Sequence, residues 1–217
     1  MRLTTERYLD QVSIWPNEGN HILAHYDAES IIVYQAYRPT AAHFALKNGF
    51  FGESFSYSRM SWIKPNFLWM MYRSGWGSKE AQEVVLALLI RRVFFDQLLS
   101  QAIPSSWNSE RFPSEEQWTF ELRRSAVRLQ WDPDHAPNGE KVTRRALQLG
   151  LRDEPLKAYG RRELLEVIDM SDFVAEQKST LNSTGLSMLA TPSERVYQPA
   201  DPEIAAWIGI SDPLSGK

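Results

Sequence analysis

The sequence contains no cysteine. That absence excludes a disulfide framework, a thiolate metal site, an iron–sulfur cluster and a cysteine nucleophile. Long hydrophobic runs are missing too. The longest, Val84 to Ile90, falls far short of the ~20 residues that cross a bilayer. Residues 1–8 carry no apolar leader of the secretory type. These absences favour the cytosol, or the nucleus of a eukaryote, and argue against a membrane partner. No phosphate-binding glycine loop, dinucleotide fingerprint, zinc-protease motif or serine nucleophile elbow occurs, and nothing repeats at the period of a solenoid. The histidines are His21, His25, His43 and His135. None has a familiar metal spacing with a carboxylate, so no metal cofactor is expected.

What is present fits one globular domain. The chain has 217 residues, 43% hydrophobic and 24% charged, enough to bury a real core. Its net charge of −3 hides a segregation. Residues 59–162 hold an excess of Lys and Arg, whereas residues 163–217 are dominated by Asp and Glu. A basic middle attracts phosphate-bearing partners, or simply pairs with the acidic end. Eight tryptophans are unusual, and Trp62, Trp69 and Trp76 recur every seven residues. Two helical turns would stack them on one face, although Pro65 and Gly75 interrupt such a helix.

The pattern predicts an α+β fold: a mixed or antiparallel sheet core flanked by helices. Residues 1–20 read as an N-terminal extension, 21–175 as the domain, and 176–217 as an acidic tail that packs on it or is partly flexible. The β-branched and aromatic run Ile31 to Tyr37 predicts a strand. Pro39 opens a short helix, and Asn48-Gly49 stops it. A second strand is expected within residues 50–59. Apolar spacing predicts a helix after Pro65. Residues 84–90 read as a buried strand and 94–102 as a helix. A further helix is expected over 115–124 and a strand over 126–131. Residues 132–139 read as a turn-rich loop, and 141–149 as a short basic helix or a helix entering a strand. Residues 178–190 show no strong period.

Three constellations could carry chemistry. Gln35 and Tyr37 share a strand face, with Arg38 just beyond. They line a cleft at the strand end, or Gln35 is a hydrogen-bonded structural amide. Next, Arg59, Trp62, Lys64, Trp69, Arg73 and Trp76 mix guanidinium groups with indoles. Such a mixture suits a phosphate joined to a flat ring, and internal cation–π packing is the alternative. Finally, Arg128, Arg144, Arg145, Gln148 and Arg152 form a candidate nucleic-acid surface or a solvated basic face. Glu83 heads the apolar run, where a carboxylate could be desolvated.

Residues 32–37, the long segment Arg59 to Trp76, Gln130-Trp131-Asp132-Pro133-Asp134-His135 and residues 145–152 resemble the family called domain of unknown function 4291. More distantly, the order strand, polar strand end, short helix and Gly-Phe over residues 31–50 is similar to the opening of ADP-ribosyltransferase folds. That resemblance implies an NAD-dependent transferase. By order, Gln35 or Arg38, then Tyr57 or Ser58, then Glu83 would take the catalytic slots. Gln35 stands where those folds usually have Arg or His. NAD would then be the cofactor, held by Tyr37, Arg38, Arg59, Trp62, Lys64, Trp69 and Arg73. The acceptor could be nucleic acid. Two other functions compete with this one: non-catalytic binding of nucleic acid through the basic middle, and a structural or interaction domain whose aromatics are core.

Overall fold

A three-stranded antiparallel sheet and a five-stranded mixed sheet, joined at one bridge, organise the chain, and their junction creates the cleft described below. The computed structural model describes residues 1–52 and 54–211. The N-terminal segment forms β1 (Thr5–Arg7), α1 (Tyr8–Val12), β2 (Gly19–Asn20) and β3 (Ile22–Ala24). Then come β4 (Ser30–Tyr37), α2 (Pro39–Asn48), β5 (Ser61–Ile63), α3 (Phe67–Ser74), β6 (Val84–Arg91), α4 (Arg92–Gln101) and β7 (Ile103–Pro104). The second half holds α5 (Glu115–Arg124), β8 (Val127–His135), β9 (Lys141–Leu151), α6 (Asp153–Tyr159) and β10 (Leu164–Asp169). It ends with α7 (Ser171–Thr184), β11 (Ala190–Pro192), β12 (Arg195–Tyr197) and α8 (Pro202–Ile208). The fold is α+β.

The first sheet has the order β10-β6-β4, antiparallel throughout. Its central strand is buried on both faces, which is why residues 84–90 read as an unbroken apolar run. Alternation divides that burial. Leu86, Leu88 and Ile90 join the larger core with Ile31 and Val33, while Val85, Ala87 and Leu89 join a second core with Ile32 and Tyr34. The second sheet runs β2-β9-β8-β7, with β5 also on β9. Tyr34 and Lys64 bridge the two sheets: the Tyr34 amide donates to the Lys64 carbonyl at 2.6 Å.

Helix ends follow local rules. Gly49 terminates α2 with φ +74°, and Asn66 caps α3 by accepting the Trp69 amide at 2.6 Å. Glu194, from far along the chain, reinforces the same helix start. Its carboxylate accepts the Phe67 amide at 2.7 Å and the Asn66 side chain at 3.3 Å. Burial pushes the Glu194 carboxyl well above its usual range. A raised carboxyl keeps its proton in the folded state where the unfolded chain loses it. The Glu194 contribution is therefore present at acid pH and lost as pH rises. E194Q is expected to flatten the fall in thermal stability above pH 5, measured by melting across a pH series.

Several sequence expectations need correction. Residues 54–59 form turns and no strand crosses 50–59 among the described residues. The supposed loop at 132–135 is the end of β8, and 141–149, expected as a short basic helix or a helix entering a strand, is strand throughout: β9 pairs with β8 from Val127↔Leu151 to His135↔Lys141. Residues 178–184 belong to α7. The three periodic tryptophans lie on different elements: Trp62 on β5, Trp69 on α3 and Trp76 beyond its end. Outside residues 21–175, β1 and β11 pair with each other, while β2 pairs with β9 and β12 with β3. The final part of the expected tail, 212–217, lies outside the described residues.

Candidate functional site

The first sheet contributes Gln35 and Tyr37 from the end of β4. The second contributes Trp62, Gln130 and Gln148, and α3 contributes Arg73. Together with Arg59 and Lys64 they line one cleft of about 520 Å3 at the sheet junction. Trp62 can lie over the second sheet because Gly150 is its register partner. A Cβ on Gly150 would stand 3.0 Å from the indole and 2.7 Å from Met60 Sδ. Arg59 and Arg73 are exposed at the rim, whereas Gln35 and Lys64 are buried.

Gln35 uses its whole amide. Its Nε2 donates to Ser61 Oγ at 2.7 Å and to the Trp62 carbonyl at 3.2 Å. Its Oε1 accepts from the hydroxyls of Tyr37 and of Tyr159, the latter at 2.7 Å. Burial raises both phenols above their ordinary range, so each remains a protonated donor. Gln35 thus ties β4 to β5 and orients Tyr37. It is a positioning residue rather than a group with a free atom for chemistry.

Across the cleft, Asp132 fixes two more glutamines. It accepts Gln130 Nε2 at 2.8 Å and Gln148 Nε2 at 2.5 Å. Each amide nitrogen is held toward the carboxylate, which leaves each amide oxygen as an acceptor. Lys64 is the other buried group here. Its Nζ donates to the Trp62 carbonyl at 3.0 Å. Burial, assisted by the Arg73 charge and opposed by Asp132, brings the amine down to about 7. Near neutrality, Lys64 is therefore divided between ammonium and free amine.

The remaining candidates lie elsewhere. Tyr57 and Arg38 line a neighbouring cleft with Arg161, and the Tyr57 hydroxyl donates to the Phe51 carbonyl at 2.8 Å. Glu83 is exposed, accepts the Ala81 amide at 2.9 Å and is not among the residues lining the main cleft. Its expected catalytic placement is corrected accordingly. Trp69 is buried and stacks with Tyr72 and His135, away from the cleft.

The five residues expected to form a nucleic-acid surface do not act together. Arg144 is buried and paired with Asp134 at 2.6 Å. Arg128 donates to the Leu122 carbonyl at 3.4 Å and Arg152 to the Ser125 carbonyl at 3.0 Å. Both arginines are thereby tied to the end of α5. Gln148 belongs to the cleft, and Arg145 is exposed beside a different groove. Asp132 holds the glutamines, Asp134 pairs with Arg144 and accepts the His135 amide at 2.7 Å, and the His135 ring stacks on Tyr72.

Sequence reasoning missed Gln82, and it placed Gln130 and Asp132 with the basic residues Arg128, Arg144 and Arg145 rather than with the cleft. Gln130 sits between Leu129 and Trp131 in the strand expected over 126–131, and that alternation puts it on the opposite face from those two apolar residues. A family model described as Domain of unknown function (DUF4291) matches residues 21–197. The chain belongs to that family. The DUF4291 match takes in the first sheet, all of the second except β2, the whole cleft and Glu194, so the helix-capping carboxylate lies within the matched region. No curated protein matches the chain.

Proposed function

We propose that the cleft holds a nucleotide of the NAD type and that the protein is an ADP-ribosyltransferase-like transferase. The observation that carries the nucleotide reading is the gathering of Arg59, Lys64 and Arg73 with Trp62, Gln130 and Gln148 in one polar cleft. Two rim guanidinium groups and an inner amine suit the two negative charges of a diphosphate. The indole offers a flat face to a base or a nicotinamide ring. The glutamine oxygens fixed by Asp132 suit ribose hydroxyls or a carboxamide N–H.

The transfer reading rests on the resemblance of residues 31–50 to the opening of those folds. In such a reaction the bond from nicotinamide to the anomeric carbon breaks, nicotinamide leaves, and the acceptor nucleophile bonds to that carbon while losing its proton. That proton passes to solvent water, while Lys64, as the ammonium form the diphosphate favours, stays with the phosphates. Glu83 has no part in this proposal. Gln35 and Tyr37 keep the sheet junction, and with it Trp62, in place.

The test uses NAD labelled in its adenylate half, with protein and nucleic-acid acceptors offered together. Label should move to an acceptor with release of nicotinamide, and R59A/R73A should lose at least about tenfold in rate, since charge-assisted bonds are worth about 1.5–3 kcal/mol each. Absence of transfer with a retained NAD-induced thermal shift would leave nucleotide binding and remove the transferase. Absence of both would remove the proposal.

A further inference from the structure

A second groove, of about 420 Å3, opens on the other side of Gln130, which lines both. It lies between β8, the segment after β7 and the end of α8. Its walls carry Trp107, Arg111, Arg145, Asn108 and Trp131. We propose that this groove binds a nucleotide unit of single-stranded nucleic acid, with a base stacked on Trp107 and phosphate held by Arg111 and Arg145.

Trp107 is 45% exposed, although an indole is the side chain that gains most from burial. An exposed aromatic face beside guanidinium groups is the pairing that single-stranded nucleic acid uses, because every base has a π face and every unit a phosphate. Neither Arg111 nor Arg145 forms an ion pair among the described residues. Arg145 donates one N–H to the Trp131 carbonyl at 3.2 Å, which orients the rest of its fork. Arg111 packs against Gly209, where a Cβ would approach its guanidinium to 2.3 Å. Trp131 is fixed in turn, its Nε1 donating to the Ile208 carbonyl at 2.8 Å. The groove is thus held by α8 and β8 rather than by loops alone. Asn108 and the backbone around it add amide groups able to read a base edge.

Gln130, on the strand that separates them, is common to the linings of both grooves. As an acceptor site, the groove rests on the transferase reading. As a binding site it stands alone.

The experiment measures binding of a short single-stranded RNA, and of the DNA of the same sequence, by fluorescence anisotropy over a salt series. W107A should weaken binding at least about fivefold, the lower end expected for one base–aromatic stack. W107F should retain most of the affinity. R111Q/R145Q should reduce the slope of log affinity against log salt by roughly 1.4, at about 0.7 for each phosphate contact. All three variants should keep the NAD-induced thermal shift, whereas R59A/R73A should lose it and still bind the strand. Failure of this site is then separable from failure of the cleft. Unchanged affinity in W107A and in R111Q/R145Q would overturn the proposal. So would equally tight binding of an acidic peptide of matched charge. A preference between RNA and DNA identifies the natural source, and equal affinity for both supports recognition of base and phosphate alone.

Discussion

K64M is expected to raise the stability of the folded protein by a few kcal/mol at pH 7, read as a higher urea midpoint. Lys64 is buried at the sheet bridge, and its amine falls from the ordinary 10.5 to about 7. Between those values the unfolded chain holds a proton that the folded chain lacks. Stability therefore rises with pH from about 7 toward 10.5 and is lowest where both states are protonated. Each pKa unit of such a difference corresponds to about 1.4 kcal/mol, so the neutral-pH penalty is on the order of 4 kcal/mol. Methionine keeps the unbranched stem and removes the charge. The Trp62 carbonyl retains Gln35 as a donor. In K64M the rise in stability from pH 7 to 10 should flatten. A buried lysine of this cost, in a cleft rimmed by two arginines, is the group the proposed anionic ligand would stabilise as its ammonium form.

D134A is expected to act in the opposite direction, lowering stability by about 3–5 kcal/mol, the usual cost of stranding a buried charge. Asp134 accepts two bonds from Arg144, at 2.9 and 2.6 Å, and both side chains are buried. Arg144 also donates to the Pro16 carbonyl at 2.6 Å, and its guanidinium lies 5.3 Å from the Trp15 ring centroid. The pair therefore pins the N-terminal segment to the β8–β9 hairpin. The double variant D134L/R144M should recover most of the loss, because a matched apolar pair leaves no uncompensated charge. Chemical denaturation of wild type, D134L, R144M and D134L/R144M supplies the cycle, with D134A measured beside them. A D134A loss below about 1 kcal/mol would mean that Arg144 finds water or another partner.

How much of this was legible in the sequence depends on whether the signal was local. The β4–α2 unit was legible because Pro39 and Gly49 mark its helix from both ends and Ile31 to Tyr37 is rich in strand formers. Residues 84–90 were legible from continuous apolarity. β9 was not, since its Arg, Ala, Leu and Gln residues are good helix formers, and pairing with β8 overrides that preference. The hairpin signal Asn138-Gly139 lay between the two strands, with Gly139 at φ +88°. Reading it as a loop alone left 141–149 as a short basic helix or a helix entering a strand.

The cleft was legible in part. Arg59, Trp62, Lys64 and Arg73 are near one another in sequence, and Gln35 and Tyr37 share a strand face, so composition located them. Their meeting with Gln130 and Gln148 depends on sheet pairing across more than eighty residues, for which a single sequence holds no direct signal. Trp69 was misplaced because a seven-residue recurrence suggested one shared face, while Pro65 and Gly75 divide the segment among a strand, a helix and a turn. The buried Asp134–Arg144 pair was equally hidden, since exposure of an arginine is the ordinary expectation.

Isothermal titration of NAD into the protein near pH 7.5, in two buffers of different ionisation enthalpy, tests the central claim most directly. Diphosphate beside Lys64 favours its ammonium form, so wild type should bind with net proton uptake. K64M should bind without that uptake, and R59A/R73A should lose at least about tenfold in affinity. Absence of binding heat, or equal affinity and equal proton uptake in all three proteins, would contradict a nucleotide site in this cleft.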